Sequence, residues 1–281
     1  MIHFLHTFHP DPILFSFGIV KIHWYGLFVV AGVISAIFIT IKIASYYKID
    51  KEKIIDLAFL LVIFGLIGAR IYDSLLEFNY YKYHPLDVFK VWNGGLAIHG
   101  GIVAGILVLF YFSKKEKVNF WLLASVLTPG LALAQAIGRW GNYFNQEIFG
   151  KPTSLPWGIP IDIANRPLQY VSYNYFHPSF LYESIGNFLI FLVLIILHVR
   201  LIKKQKTADY DYVKIIATYA ILYSLLRFVT EFIRIDFAPV IFGLRVPQDV
   251  SLLIIFISII LLIKFIPKQT APSDCHPGAK R

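Results

Sequence analysis

The amino-acid sequence predicts an all-α integral membrane protein with about seven transmembrane helices, an extracytoplasmic cap and an interfacial arm. Of its 281 residues, 57% are hydrophobic and only 15% are charged, which is far more apolar than an ordinary soluble domain. Several runs, such as residues 24–43 and 251–266, hold almost no charge and approach the roughly 20 apolar residues that one spanning helix requires. Backbone groups in lipid must be hydrogen-bonded within their own segment, so these runs are predicted to be helices.

Seven spans are predicted in order along the chain, with approximate ends. They cover residues 24–43, 54–73, 96–113, 120–137, 179–200, 213–233 and 249–266. The apolar segment 13–22 is too short to cross a bilayer. We expect it to lie at the membrane interface, where the adjacent Trp24 and Tyr25 would suit the headgroup level.

The distribution of basic residues predicts the orientation of the helices. The loops after spans one, three and five, together with the C-terminal tail, hold 16 of the 26 Lys and Arg residues. By the positive-inside rule, these loops and the C-terminus are cytoplasmic and the N-terminus is outside. The net charge of +9 therefore indicates topology rather than a nucleic-acid partner, because the basic residues stand in short blocks between apolar spans.

Two longer connections are predicted to face outward. Residues 138–178 are rich in Gly, Pro, Asn and aromatic residues, which favours a folded extracytoplasmic head region over a linker. Residues 74–95 contain several Tyr and Trp side chains and are predicted to form a non-helical interfacial arm. We expect residues 1–267 to form a single polytopic membrane domain, followed by a polar cytoplasmic tail at 268–281. No internal repeat is visible.

The predicted sixth span carries four polar side chains at intervals of four residues: Tyr219, Tyr223, Arg227 and Glu231. Residues with this spacing lie on one face of a helix. Ionisable side chains within a span are costly in lipid and usually mark a functional site. The alternative interpretation is an ion pair between Arg227 and Glu231 that only seals the bundle.

A second polar cluster stands around the end of the fourth span, at residues 138–147. It combines Arg139, Asn142 and Glu147 with two glycines, so flexible backbone and several hydrogen-bonding groups occur within ten residues. A glycine C-cap followed by a polar loop would explain the glycines but not the density of polar groups at membrane depth.

His99 is flanked by two glycine pairs within residues 92–101, at the start of the third span. The glycines allow the backbone to bend, so that the imidazole can project into a cavity rather than a packed seam. A lone histidine on an apolar face is otherwise more often a satisfied core residue. Proximity to the arginine clusters, if the spans pack as a bundle, favours a functional role.

Further polar residues occur near the span ends. Arg70, Asp73 and Glu77 have helical spacing and predict an interfacial ion-pair ladder, functional or structural. Glu183 places a carboxylate at buried depth near the start of the fifth span, and Asn187 lies one turn further along.

No metal or cofactor is expected. His3, His6 and His9 are regularly spaced but lie in an aromatic-rich N-terminus without carboxylates, which favours an interfacial role over metal binding. The single cysteine, Cys275, lies in the polar tail, so any thiol that reacts within the membrane must belong to the substrate.

These motifs resemble those of the prolipoprotein diacylglyceryl transferases. Residues 138–150 are similar to the family signature, in which glycine, arginine, any residue, glycine, asparagine, two residues, asparagine, any residue and glutamate follow one another. Other similar segments occur in family order at residues 24–26, 68–70, 99–101, 177–183 and 223–231. The resemblance extends from about residue 24 to residue 250 and leaves out the N-terminal dozen residues and the tail after residue 267.

The resemblance implies transfer of a diacylglyceryl group from phosphatidylglycerol to the lipobox cysteine of a prolipoprotein signal peptide. A thioether forms and glycerol 1-phosphate leaves, in the bilayer of the bacterial cytoplasmic (inner) membrane. The residues support this chemistry independently. A thiol of pKa about 8.5 needs a base to become the thiolate nucleophile. A guanidinium group is the side chain best shaped to hold the phosphate ester that leaves.

Residue roles follow from the resemblance. His99 is the candidate general base, and Tyr223 could share or take the proton-transfer role. Arg139 and Arg227 are predicted to clamp the phosphate. The other predicted substrate contacts are Tyr25 near the glycerol, Asn142 and Glu147, which shape the headgroup pocket and hold Arg139, and Glu231.

Two other functions fit part of the pattern. A transporter or scramblase of anionic lipids would also need intramembrane arginines and glycine-broken helices, but it would normally show repeated halves. An intramembrane hydrolase is the other alternative, but the sequence contains no His-Glu-x-x-His zinc motif and no nucleophile elbow.

Overall fold

The computed structural model describes residues 2–18, 20–204 and 207–266. Within these residues, seven helices are long and apolar enough to cross a membrane, which confirms the predicted fold class. They are α2 (Trp24–Tyr46), α3 (Lys51–Leu76), α5 (Ile98–Glu116), α6 (Phe120–Phe144), α7 (Ser179–Ile202), α8 (Asp209–Glu231) and α9 (Val246–Phe265), and two short helices are α1 (Ile2–Thr7) and α4 (Phe78–Tyr81). Each predicted span lies largely within one of the seven long helices.

Small residues let α2 and α6 pack closely. A Cβ atom added at Gly130 would lie 2.7 Å from the carbonyl oxygen of Ala36, and one added at Gly32 would lie 3.1 Å from that of Ala134. Close approach through small residues is a common basis of helix association in membranes, where lipid provides no hydrophobic driving force. Because α6 also packs against α7 and α8, it is the central helix of the bundle.

A neighbouring helix replaces the backbone hydrogen bond that is lost at a proline inside α6. Pro129 has no backbone N–H, so the carbonyl of Ser125 lacks its usual helical donor. Nε2 of His198 on α7, a residue only 1% exposed, lies 2.9 Å from that oxygen. The Thr128 hydroxyl also donates to it, at 2.8 Å. Nδ1 of His198 is 3.0 Å from the hydroxyl of Tyr47 just after α2, so three helices are joined here.

The helices α3 and α5 form a pair, and the arm connects them. A Cβ atom added at Gly68 would lie 2.6 Å from the carbonyl oxygen of Gly100, so the two backbones touch. The arm was predicted to be non-helical, and this is wrong. It contains α4 and the 3-10 turns Pro85–Phe89 and Val91–Asn93. Proline at the start of the first turn favours it, since its fixed φ suits the first helical position.

The N-terminal residues pack against the segment that follows α6. Leu5 of α1 is 1% exposed and lies in a core cluster with Phe149 and Ile161. The strands β1 (Ile13–Phe17) and β2 (Val20–His23) form an antiparallel hairpin that leads directly into α2. The short apolar segment before the first span is therefore a hairpin.

The head region begins later than predicted, because α6 continues to Phe144. The glycines at the predicted boundary do not end the helix. A Cβ atom at Gly141 would lie 2.8 Å from Cδ2 of Tyr25, so this glycine allows α2 to approach α6 rather than breaking α6.

Residues 145–178 form the head region proper. It contains the paired strands β3 (Ile159–Pro160) and β4 (Tyr175–Phe176) and the 3-10 turns Ile163–Asn165 and Leu168–Tyr170. A third hairpin, β5 (Val240–Ile241) and β6 (Leu244–Arg245), links α8 to α9. The predicted tail, 268–281, lies outside the described residues.

Candidate active site

The predicted site residues lie toward one end of the helix bundle. Here α2, α5, α7 and α9 begin and α3, α6 and α8 end. Contacts such as Tyr25 with Gly141 and Arg139 with Glu183 join the start of one helix to the end of another. The polar clusters of the fourth and sixth spans meet at this end, where Arg139 and Arg227 both lie near Glu183.

Glu183 is the residue on which three arginines converge. Its carboxylate is 2% exposed and lies 2.5 Å from Nη2 of Arg139 and 3.0 Å from Nη1 of Arg234. Nη1 of Arg227 lies 3.6 Å from the same carboxylate. The two arginines that were predicted to act together, 88 residues apart, therefore share one carboxylate.

Glu231 forms a second centre of negative charge one turn beyond Arg227. Its carboxylate oxygens lie 2.9 Å from Nη2 of Arg227 and 3.1 Å from Nη1 of Arg245. The predicted Arg227–Glu231 pair is thus present, but it belongs to a network that spans α6, α7, α8 and the start of α9. Arg227 and Glu231 are therefore not an isolated ion pair that only seals the bundle.

Three members of this network were not included among the predicted site residues: Arg234, Asp236 and Arg245. Asp236 accepts two hydrogen bonds from Arg234, at 2.8 and 3.0 Å. Burial raises the pKa of the Asp236 carboxyl, but the Arg234 and Arg245 charges outweigh that effect and hold the pKa below its usual value. In the sequence, Arg245 stands just before the last apolar span, and this position could have indicated that it belongs to the site.

Arg139 and Arg227 differ from Arg234 in their capacity to bind a further anion. Their side chains are 21% and 18% exposed, whereas that of Arg234 is 5% exposed. Nη1 of Arg227 is buried and has no hydrogen-bond partner within the described part of the chain. A buried donor without a partner is costly, so an anion that reaches this atom would be stabilised by it.

Asn142 links Arg139 to Glu147. Nη1 of Arg139 lies 3.4 Å from Oδ1 of Asn142, whose amide donates to Oε1 of Glu147 at 2.7 Å. Asn142 and Glu147 were expected to hold Arg139 in place; in the structure Glu147 reaches Arg139 through Asn142, and the ion pair of Arg139 is with Glu183. Glu147 lies at the start of the head region and Glu183 lies on α7 after it, and sequence distance alone favoured the nearer carboxylate.

The two predicted tyrosines occupy different surroundings. Tyr25 is 40% exposed and packs against Gly141, one turn from Arg139 and Asn142. Tyr223 stacks on Tyr219 with ring centroids 6.0 Å apart, one turn before Arg227 on α8. Both tyrosines therefore border the arginine network without hydrogen bonds to it.

His99 is separate from the arginine network in its contacts. It is exposed on the second residue of α5, and its ring lies 6.1 Å from that of Tyr72 on α3. No side-chain hydrogen bond joins the imidazole to another described residue. The structure places His99 at the same end of the bundle as the arginines, but no direct contact brings it to them.

The N-terminal histidines are used in packing. His6 stacks on Tyr175 at 4.0 Å between ring centroids, and its Nδ1 lies 2.8 Å from the Gly158 carbonyl oxygen. His9 lies 3.1 Å from Asp162. Within residues 2–18, 20–204 and 207–266, no three His, Cys, Asp or Glu side chains are grouped as a metal site would require.

Most of the chain is similar to one family of membrane enzymes. The model of the prolipoprotein diacylglyceryl transferase family matches residues 12–264. The chain belongs to this family. Two proteins named phosphatidylglycerol--prolipoprotein diacylglyceryl transferase illustrate the similarity. That of Acaryochloris marina is 42% identical over 244 residues, covering 87% of this chain and 86% of the relative. That of Nostoc sp. is 38% identical over 271 residues, covering 96% and 95%.

Membership of the prolipoprotein diacylglyceryl transferase family confirms the resemblance that the motifs indicated. The matched region includes all seven long helices almost completely, the head region and the arm. Within it, the family signature at residues 138–147 supplies Arg139 and Asn142 to the network that Glu183 organises.

Proposed function

We propose that this protein transfers the diacylglyceryl group of phosphatidylglycerol to a cysteine thiol of prolipoproteins. The observation that carries the proposal is the convergence of Arg139 and Arg227 on the Glu183 carboxylate. It provides two partly exposed guanidinium groups at one end of the membrane-spanning bundle, where a phospholipid headgroup would lie. The names of the relatives agree with this substrate and this acceptor.

The reaction requires a negatively charged leaving group to be stabilised. The cysteine sulfur attacks the glycerol carbon that bears the phosphate, a carbon–sulfur bond forms and the carbon–oxygen bond breaks. Glycerol phosphate leaves with the bonding electrons, and the thiol proton passes to a base. Preorganised cationic donors at the departing oxygen are the largest single contribution in comparable group transfers. Arg139 and Arg227 would hold the phosphate, and Nη1 of Arg227, which makes no hydrogen bond within the described residues, would be one donor to it.

The other site residues receive roles on the same basis. His99 would accept the thiol proton, with Tyr223 as the alternative group on the arginine-bearing face. Asn142 and Glu147 would bind the glycerol headgroup, to which amide and carboxylate groups can hydrogen-bond. Tyr25 and Glu231 would border the pocket. The acceptor would be the lipobox cysteine of a signal peptide.

The site would face outward in a bacterial inner membrane. The basic loops lie at the opposite end of the bundle, so the positive-inside rule places the arginine network at the extracytoplasmic side and the C-terminus in the cytoplasm. Phosphatidylglycerol and the bilayer-anchored signal peptide could then both reach the network from the membrane.

The clamp can be tested with the variants Arg139→Lys, Arg227→Lys and the double variant, using phosphatidylglycerol and a lipobox peptide. Lysine retains the charge but loses the planar fork, so each single change should lower kcat by roughly 10²- to 10³-fold. If both groups hold one phosphate, the effects should be non-additive. Arg200→Lys, at the far end of α7, is the matched control and should retain activity.

Two outcomes would contradict the proposal. Full activity of either single lysine variant would exclude a clamp at that position. If the wild-type protein moves phosphatidylglycerol between leaflets but forms no thioether on the peptide, the protein is a lipid transporter or scramblase instead.

A further inference from the structure

Arg70 is the most completely hydrogen-bonded arginine of the outward end, and it lies apart from the Glu183 network. It is 6% exposed near the end of α3. An arginine side chain has five N–H donors. Here Nε donates to the Val88 carbonyl at 2.7 Å, and Nη1 donates to those of Gly94 and Gly95 at 2.6 and 2.7 Å.

The remaining nitrogen, Nη2, donates to two further carbonyl groups of the same segment. They belong to Asp87 and Lys90, the latter at 3.4 Å. All five acceptors are therefore backbone oxygens of residues 87–95, the second half of the arm. The charge is partly compensated by Asp73, 3.7 Å away, and by the ring of Tyr81, whose centroid is 5.2 Å from the guanidinium carbon.

The hydrogen bonding of Arg70 differs from that of Arg227. Among the described residues, Arg227 keeps a buried nitrogen without a hydrogen bond, whereas every nitrogen of Arg70 donates one. Arg70 therefore has no free donor for a lipid phosphate. The predicted ion-pair ladder is also incomplete, because Glu77 forms no ion pair with any residue in the described ranges.

The segment that Arg70 holds leads directly into His99. Gly94 and Gly95 have φ values of +89° and +75°, and α5 begins three residues later with Ile98. The amide of Ala97 donates to the carbonyl of Ala69, next to Arg70, at 3.1 Å. The position of His99 is thus defined by α3 on one side and by the arm carbonyls on the other.

We propose that Arg70 is a positioning residue: by binding five carbonyl groups of the arm, it sets the start of α5 and so the place of the His99 imidazole. This inference rests on the proposed role of His99 in proton transfer. A misplaced base is costly in rate even when substrate binding is intact, because proton transfer depends on hydrogen-bond distance to the reacting group.

The central test replaces Arg70 by lysine, which offers three donors on a flexible stem and cannot reach all five acceptors. We expect kcat to fall by roughly 10²-fold, an effect of the size that a misplaced group produces, with KM for phosphatidylglycerol nearly unchanged. Amide hydrogen exchange of residues 94–98 should become faster. Arg166→Lys is the matched control, because Arg166 also donates to backbone carbonyls, those of Ile161 and Val171, but in the head region.

A glycine pair provides a second, sharper comparison. A Cβ atom at Gly95 would collide with Nη1 of Arg70 and lie 2.6 Å from Oδ2 of Asp73. A Cβ atom at Gly94 would meet nothing within 4 Å. Both glycines have positive φ, so alanine introduces backbone strain at each position, but only the Cβ atom at position 95 also collides with Arg70. Gly95→Ala should reproduce the kinetic defect of Arg70→Lys, and Gly94→Ala should have the smaller effect.

The outcomes separate this inference from the role of His99. Non-additive losses in the Arg70→Lys, His99→Ala double variant would support positioning. Additive losses, unchanged exchange at residues 94–98 or a raised KM with normal kcat in Arg70→Lys would overturn it. Full activity of His99→Ala would refute the base assignment, and the exchange measurement would still show whether Arg70 orders the arm.

Discussion

Glu183 offers the most stringent test of the arginine network. Replacing it by glutamine keeps the shape of the side chain but removes the charge that Arg139, Arg227 and Arg234 share. The amide oxygen could accept from one arginine, while the amide nitrogen would face another cation. Arg227 would keep its contact with Glu231 and Arg234 its contact with Asp236, whereas Arg139 would lose its carboxylate partner.

The expected loss of stability in Glu183→Gln follows from the burial of the Glu183 side chain. Removing one partner of a buried ion pair typically costs about 3–5 kcal/mol, since the remaining charge stays buried without compensation. The Glu183 side chain is 3% exposed, and among the described residues Arg139 has no second carboxylate to replace it. For a chain of this size, such a loss lowers Tm by roughly 6–20 °C.

The assay combines thermal unfolding in detergent with transfer kinetics on a lipobox peptide. We expect Glu183→Gln to lower both Tm and kcat, the latter by roughly 10²- to 10³-fold, because both clamp arginines lose their common support. Glu116→Gln is the matched control. Glu116 pairs with Lys53 at 3.1 Å with side chains 24% and 34% exposed, so its removal should cost only about 0–1 kcal/mol. A Glu183→Gln protein with the stability and kcat of the control would refute the reasoning.

Three further expectations concern orientation, proton transfer and pH. Reporters fused after Lys117 should score cytoplasmic and one inserted near Thr153 extracytoplasmic; the reverse pattern would move the site to the other side of the membrane. His99→Ala should lower turnover by roughly 10²- to 10⁴-fold with the protein still inserted, and near-normal activity would make a tyrosine the first candidate base. A hydrogen bond from Gln146 lowers the pKa of Asp162 from its ordinary value, so the ionised carboxylate contributes stability above roughly pH 4 that is lost as pH falls through the lowered pKa. Melting curves against pH should show this loss in the wild-type protein and not in Asp162→Asn.

The spans could be predicted from the sequence because a bilayer imposes a length and a polarity on each helix. The polar face of α8 was equally accessible, since Arg227 and Glu231 lie four residues apart on one helix. The length of a span and the polar face of one helix are properties of single segments, so both can be predicted directly from the sequence.

The partners of each charge could not be predicted in the same way. Glu183 and Arg139 lie on different helices, and only the packing of α6 against α7 makes them an ion pair. Arg70 resembled one member of a helical ladder, but its acceptors are backbone oxygens that carry no residue-specific signal. The boundary at residue 138 was misplaced because a glycine can serve helix packing as well as chain reversal.

The proline within α6 has a consequence for the hydrogen positions in the inner core. The Ser125 oxygen can only accept, so Nε2 of His198 must carry the hydrogen and Nδ1 must accept from the Tyr47 hydroxyl. For the neutral imidazole, the tautomer with its hydrogen on Nε2 is the one that satisfies both contacts. An alanine at position 129 would supply its own N–H to Ser125 and make the donor on α7 redundant. Pro129 and His198 are therefore energetically coupled, and neither can be exchanged without changing what the other contributes.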